Sequence, residues 1–478
     1  MADHPRIKAA DEVGAVAVEE VNLAYSAFYP TVNLAGDAGY EHVNNPTRRS
    51  TNNPADSAYN RGRETTTFTV TQNLYRGGRN SAELRAAEIG RDAAEFYRSE
   101  QAQKAMKEGI QAYLQFLEYS QNLSSARDNV QKIQAQSNLE DERVRLGGGV
   151  SLDVLESKRR LMIAKFREVE MVGSMEIVVG QYIKMFGHGP DYASMTVPTV
   201  PKTLVPNSLD EATDLAMKSN PTLLKLENLM QSSAVKKSVE ESGYMPTVDL
   251  VFEHNYENDL NTVVGIRRDW NLLLKANWEL FSGFKTKAGV AQASHNYEAA
   301  KNDLLDNKRT IAEQVKKAWE TMQYNLAGVT YYQNNLNLAQ EVFEGTKAQR
   351  EAGKETLIRV LDSELALFEA KVLLTTTKFR YLLAVYDLLY SMGTLTPDVG
   401  EQDAPVIEVP DTEMLSPLPA PEAAITPPTD GTVPSAPEAP IAAPQGGVDT
   451  MDLNAPPDAP VAPTQVDTMD LTAPPAPP

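Results

Sequence analysis

The chain repeats itself. His4-Pro5 matches Asn220-Pro221, Tyr29-Pro30-Thr31-Val32 matches Met245-Pro246-Thr247-Val248, and Leu34 matches Leu250, all at an offset of 216 residues. Further on the offset is 206: Leu74-Tyr75-Arg76-Gly77 matches Leu280-Phe281-Ser282-Gly283, Gly147 matches Gly353, Leu155-Glu156-Ser157 matches Leu361-Asp362-Ser363, and Met185-Phe186-Gly187 matches Ser391-Met392-Gly393. One length difference of ten residues reconciles the two offsets. It falls between Val43 and Arg63 in the first copy and between Asp259 and Asp269 in the second. A chain built this way folds as two copies of one unit, which differ mainly in a single loop.

Within each unit the apolar period changes in a fixed order. The periods predict a short helix (1–30; 220–246), a β-hairpin (31–75; 247–281), and a long helix with a tip turn and a return helix (76–187; 282–397). Residues 188–219 are the linker between repeats. In the hairpins Val32, Leu34, Gly36, Ala38 and Tyr40 alternate onto one face, as do Phe68, Val70 and Leu74, Val248, Leu250, Phe252 and Tyr256, and Trp270, Leu272, Leu274 and Ala276. Strands of about 12 residues, tilted as in a barrel, rise about 30 Å, the thickness of a bilayer core. After each hairpin comes a stretch of roughly 66 residues without proline, enough for a helix of about 100 Å. Its apolar residues recur on sevens: Phe116, Leu123, Val130 and Val144 with Tyr119, Ala126 and Ile133 in one copy, Met322, Val329, Leu336 and Phe343 in the other. The return helices carry Leu155, Met162, Val169 and Ile183, and Leu361, Phe368, Leu382 and Leu389. Each return helix is expected to stack end to end on a short helix, alongside a rod. Four strands cannot close a barrel, and open edges in lipid are prohibitive, so the chain has to associate. Two copies would give eight strands and three would give 12, which leaves room for a lumen.

Composition narrows the function. Residues 398–478 form a Pro/Asp/Glu-rich tail with 19 of the 30 prolines, 14 acidic residues and no Lys or Arg, which reads as disordered. It repeats Val448-Asp449-Thr450-Met451-Asp452-Leu453 as Val466-Asp467-Thr468-Met469-Asp470-Leu471, an interaction motif in form. With a formal charge of -20, of which the tail carries -14, no cationic surface speaks for nucleic acid. The absence of cysteine excludes disulfides, thiolate metal sites and an acylated N-terminal cysteine. The five histidines are dispersed, and there is no phosphate loop, nucleophile elbow or HExxH, so neither an enzyme, a metal nor a cofactor is expected. Met1 to Pro5 lacks the basic start and apolar core of a signal peptide, which suits either a cytoplasmic protein or a mature or truncated form of an exported one. Arg48, Arg49, Arg61 and Arg63 are expected in the longer hairpin loop. Set against a membrane protein is a soluble or peripheral coiled-coil scaffold, which accounts for the rods and leaves the four strands unexplained.

Taken together, the duplicated frame, Tyr29-Pro30 and Met245-Pro246 ahead of the strands, Leu280 to Phe284 at strand exit, and the turns Arg145 to Glu156 and Arg350 to Asp362 resemble the TolC family of outer-membrane channel proteins over residues 4 to 397. The resemblance implies an α+β membrane protein: a homotrimer whose 12-strand transmembrane β-barrel, four strands per chain, continues into a long periplasmic α-helical barrel. It implies a duct that passes substrates from a periplasmic adaptor protein and an inner-membrane ABC or proton-driven transporter across the outer membrane. Without a lipidated cysteine, type I protein secretion is favoured over drug efflux. Adaptor docking is expected at the tips, at Gly147, Gly148, Gly149 and Val150, and at Gly353 and Thr356. A pore-entrance constriction is expected at Asp153, Glu156, Arg359 and Asp362. The family often has an acid at the position of Asp362, but Arg359 departs from an aspartate common at its own, so the expected ring mixes acidic and basic groups. Trp270 and Trp278 are expected to anchor the strands at the membrane interface in contact with outer-membrane lipid.

Overall fold

The computed structural model describes residues 4–43, 59–198, 204–260 and 265–396, all within the compact unit Met1–Leu418. The acidic tail with its repeated motif, and Arg48 and Arg49, lie outside the described residues.

Helix α1 (Pro5–Ser26) leads into strands β1 (Thr31–Val43) and β2 (Tyr59–Arg76), then α2 (Arg79–Arg145) and α3 (Ser151–Phe186). After a short 3-10 turn and helix α4 (Leu209–Ser219), the order repeats as α5 (Pro221–Glu241), β3 (Thr247–Asn258), β4 (Ile266–Asn277), α6 (Lys285–Glu351) and α7 (Leu357–Met392). Both rods have 67 residues, about 100 Å each, and both return helices have 36. The duplication extends to local chemistry. The side chain of His4 accepts from the Arg6 N–H ahead of Pro5, and that of Asn220 accepts from the Thr222 N–H ahead of Pro221. Left-handed glycines fall in equivalent pairs: Gly77 and Gly283, Gly147 and Gly353, Gly187 and Gly393.

The strands form one antiparallel sheet in the order β1-β2-β3-β4, with β1 and β4 as free edges. Val32 faces Val70, Val70 faces Phe252 and Phe252 faces Leu272, so one face is apolar from edge to edge. The other face is a polar lattice. On it Arg63 pairs with Asp37, the Lys275 ammonium donates to Glu253 at 2.8 Å, and Asn255 donates to Asp269 at 3.2 Å. Two expectations need correction here. The register slips between Asn73 and Tyr75, so Leu74 is the bulged residue and Tyr75, opposite Val248, continues the apolar face. Arg61 and Arg63 lie in β2 rather than in the loop, because pairing with β1 runs out as far as Val43 and Tyr59.

Helix α7 holds most of the core. Leu382, Val385, Leu388, Leu389 and Met392 are buried among Leu114 and Phe116 of α2, Ile311, Val315 and Met322 of α6, and Ala212 and Ala216 of α4. That last helix, within the linker, starts at Ser208, whose hydroxyl accepts from the Glu211 N–H while the Glu211 carboxylate accepts from the Asn207 N–H. The end of α7 abuts the start of α5: the Asn220 amide donates to the Ser391 carbonyl at 3.0 Å and the Ser219 hydroxyl to the Met392 carbonyl at 3.0 Å. Together α7 and α5 make one interrupted column beside the rods α2 and α6.

The heptad stripe of the first return helix behaves differently from its copy. Leu361, Phe368, Leu382 and Leu389 are buried, whereas Leu155, Met162, Val169 and Ile183 are exposed. In α3 it is Val154, Leu161, Ala164, Val178 and Tyr182 that pack inward. A second exposed stripe runs down α6 through Tyr324, Tyr331 and Leu338, again on sevens. Met162 and Val169 stand 11 and 18 residues from the start of α3, and Leu338 and Tyr331 stand 13 and 20 residues from the end of α6, so these two pairs lie at matching heights above the tips, within about 3 Å.

Candidate functional site

Both rods end in the same turn. At the first tip the Gly147 N–H donates to the Val144 carbonyl and the Gly148 N–H to the Arg143 carbonyl, and at the second the Gly353 and Lys354 N–H groups donate to Arg350 and Gln349. This is the Schellman closure, which needs a left-handed residue after the helix, and Gly147 (φ +80°) and Gly353 (φ +71°) supply it. Gly149 is required for space instead: a Cβ there would lie 2.7 Å from Val144 Cγ2. Gly148 has neither constraint, its nearest obstacle being the Arg143 carbonyl oxygen at 3.8 Å. Val150 occupies the N-cap of α3 without a side-chain cap and is exposed beside Leu146 and Leu152. Thr356 caps α7, its hydroxyl accepting from the Arg359 N–H at 3.4 Å.

The charged residues beyond the turns do not form two separate pairs on two helix faces. Asp153 receives the Arg350 guanidinium at 3.4 Å, and the same guanidinium lies 3.7 Å from Glu140. Glu156 accepts from Arg159 and from Arg160, and Arg160 also reaches Asp362 at 2.5 Å. One heptad further on, Arg167 meets Glu369 at 3.4 Å. Three guanidiniums, those of Arg350, Arg160 and Arg167, therefore tie the α2–α3 hairpin to the α6–α7 hairpin. Arg359 is exposed and has no ion-pair partner among the described residues, so it is the unneutralised charge of the expected set.

Glu140, Arg160 and Arg350 were not among the residues expected from sequence. Glu140 had a signal, since it continues the heptad series Ala126, Ile133 as a carboxylate where an apolar residue belongs. It is 1% exposed and is held by Arg143 at 2.9 Å and Gln136 at 3.2 Å. Arg160 follows Glu156 by four, a local helix pair, but its reach to Asp362 depends on how the hairpins meet.

Hydrogen bonding from Arg159, reinforced by Arg160, holds the Glu156 carboxyl down to about 2. A carboxylate depressed in this way contributes above the ordinary carboxylate range and loses that contribution as pH falls through about 2. Acidification from pH 7 to pH 4 is therefore expected to leave the Glu156 bridges intact. A carboxyl-carbon NMR titration checks this, and a Glu156 midpoint near 4 would show that the arginines are not engaged.

Trp270 sits within β4 opposite His254, stacked on Phe252 with ring centroids 6.3 Å apart. Trp278 follows the end of β4, and its indole N–H donates to the Tyr244 carbonyl at 3.0 Å, which fastens the strand exit to the end of the α5 segment. Both are exposed. Among the described residues there is no helix long and apolar enough to cross a membrane, and no cluster of acids and histidines that could hold a metal.

A sheet apolar on one face and salt-bridged on the other, with free edges and two 100 Å rods, defines a segment of a membrane channel wall. The comparisons agree with this. The Outer membrane efflux protein family model matches residues 1–179 and 212–394, and the chain belongs to that family, one of outer-membrane channels of the TolC type rather than of enzymes. It is 25% identical over 311 residues to the alkaline protease secretion protein AprF of Pseudomonas aeruginosa, covering 62% of each chain. It is 24% identical over 271 residues to the proteases secretion protein PrtF of Dickeya chrysanthemi, covering 54% of this chain and 56% of that one. The chain thus spans less than two thirds of the length of either. To the outer membrane protein TolC of Vibrio cholerae it is 24% identical over 395 residues, covering 81% of this chain and 86% of that one. The fold is shared with the outer membrane protein VceC of Vibrio cholerae at a TM-score of 0.69 and 16% identity, over 82% of this chain and 93% of the other. The protein is an outer-membrane protein whose helical part lies in the periplasm.

Proposed function

We propose that three copies close into a 12-strand barrel and a helical duct, and that this duct is the outer-membrane exit of a tripartite export system with a periplasmic adaptor and an inner-membrane pump. The observation that carries the reading is the pair of matched free edges. β1 and β4 each have one unpaired edge, and Met162 and Val169 of one exposed stripe lie at the heights of Leu338 and Tyr331 of the other. Strand pairing and a coiled-coil seam between neighbouring copies satisfy both at once. Because the chain has no cysteine, the seam can be tested cleanly. Oxidation of Met162→Cys/Leu338→Cys is expected to give a covalent ladder that stops at three copies. Monomer alone, or a ladder running past three, would sink the reading. In the detergent-solubilised protein, electron microscopy is expected to show a hollow three-fold particle about 130 Å long.

In this reading Asp153, Glu156, Arg359 and Asp362 line the periplasmic constriction, with Arg350 and Arg160 as the ties that must release for opening. The small, exposed turns at Gly147 to Val150 and Gly353 to Thr356 receive the adaptor, and Trp270 and Trp278 meet lipid. Type I protein secretion is favoured over drug efflux, supported by the protease-secretion relatives AprF and PrtF, although the relative BepC of Brucella suis carries efflux in its name. A deletion strain with an unchanged secretome and new sensitivity to toxic compounds would reverse that preference.

A further inference from the structure

At the junction of strands and rods the structure holds an aromatic in a costly position. Phe284, the residue before α6, has φ +66°, in the left-handed region that glycine adopts freely, and the equivalent residue of the first repeat is Gly78 (φ +84°). Phe284 is nonetheless 68% exposed, and its one ring contact among the described residues is an edge contact with Phe281 at 5.5 Å. Strained backbone around a large apolar side chain that packs against little of its own chain marks a place where something else receives that side chain. Its surroundings share the pattern. Tyr75, on the apolar face opposite Val248, and Tyr29, Trp278, Leu280 and Phe281, which flank the helical ends of β1 and β4, are all exposed.

The same level carries cations. Arg79 and Lys285 occupy the first position of the two rods, where helix ends ordinarily favour acids. Arg76 is bound only to the Asn73 amide oxygen at 2.8 Å, and Lys285 and Lys287 are exposed without an ion-pair partner among the described residues. Against them stand Glu83, engaged by Arg79 at 3.4 Å, Glu279, Glu241, engaged by Lys237 at 3.8 Å, and Glu240, whose carboxylate lies against Gly289 one turn along from Lys285. An apolar, aromatic collar with unpaired cations just on its helical side matches the glycerol and phosphate levels of a lipid leaflet.

We propose that this collar is a docking surface for anionic phospholipid, with Phe284 inserted at the acyl boundary and Lys285, Lys287 and Arg76 on the headgroup phosphates. The proposal rests on the membrane-inserted reading above. The collar adjoins the face that reading puts in lipid, and its free cations fit an anionic rather than a zwitterionic headgroup.

The test reconstitutes the full chain in phosphatidylcholine vesicles and compares spin-labelled phosphatidylglycerol with spin-labelled phosphatidylcholine as boundary lipid. Severalfold stronger association of phosphatidylglycerol is expected. Lys285→Gln/Lys287→Gln should bring the ratio towards one, each lysine being worth up to about fivefold. Phe284→Gly separates lipid contact from packing: it should leave the melting temperature in detergent unchanged or raised, since the strain is relieved, and lower phosphatidylglycerol association in vesicles. Equal association of the two lipids by the parent chain overturns the proposal. So does a Phe284→Gly variant that loses its oligomer in detergent, because Phe284 would then pack against a second copy. A complete absence of motionally restricted lipid would instead remove the membrane-inserted reading, and this proposal with it.

Discussion

Gly393→Ala is expected to destabilise the protein by about 2–5 kcal/mol, while Gly187→Ala, the same change at the equivalent place in the first repeat, costs only about 1–2 kcal/mol. Both glycines follow return helices in left-handed backbone at φ +77°, so both variants bear the strain of an L residue there. Their surroundings differ. A Cβ on Gly393 would lie 2.6 Å from Asn220 Cα, 2.9 Å from Pro221 Cδ and 2.9 Å from the Ser219 carbonyl oxygen, none of which can swing aside, whereas a Cβ on Gly187 meets nothing within 4 Å. Backbone overlap at the α7–α5 joint must shift the column, and the column carries the core. Thermal melting of the two variants side by side checks the asymmetry, and equal losses would mean that the joint is looser than the Asn220 and Ser219 hydrogen bonds imply.

Arg350→Ala is expected to raise single-channel conductance severalfold in a planar bilayer. The guanidinium fastens the end of α6 to Asp153 at 3.4 Å and lies 3.7 Å from Glu140, and it also donates to the Glu355 carbonyl at 3.3 Å. Removing it cuts the tie nearest the turns and leaves the buried Glu140 carboxylate with Arg143 and Gln136 alone, at a cost to stability of about 1–3 kcal/mol. Adding Arg160→Ala releases Asp362 and should widen the entrance further. Arg350→Lys keeps the charge but not the fork that serves Asp153 and the Glu355 carbonyl together, so it should fall between the parent and the alanine variant. If the double variant conducts like the parent, the tips are closed by something other than these ties.

The charged residues near the two tips were legible in the sequence, and their wiring was not. Asp153 and Glu156 are three residues apart on one helix, as are Arg359 and Asp362, and local spacing pairs each acid within its own hairpin. The folded chain connects Asp153 to Arg350, 197 positions away, and Asp362 to Arg160, 202 positions away. Which hairpin lies against which is set by side chains buried between rods, and no periodicity within one helix contains it. Arg359 shows the converse: sequence marked it as a departure, and structure left it without an ion-pair partner among the described residues.

The sequence by itself determined the duplicated unit, the order of its elements, the length of the rods and the apolar face of each strand. Those depend on interactions a few residues apart, where alternation, heptads, prolines and left-handed glycines act directly on the backbone. Only the tertiary structure decided that the heptad stripe of α7 is core while the matching stripe of α3 faces outward, and that Leu74 bulges so that Tyr75 takes its place in the sheet. The two stripes have the same period and similar residues. What separates them is the number of neighbours each helix acquires: α7 is enclosed by α2, α4 and α6, and α3 has α2 as its main neighbour, leaving a face that the chain cannot cover alone.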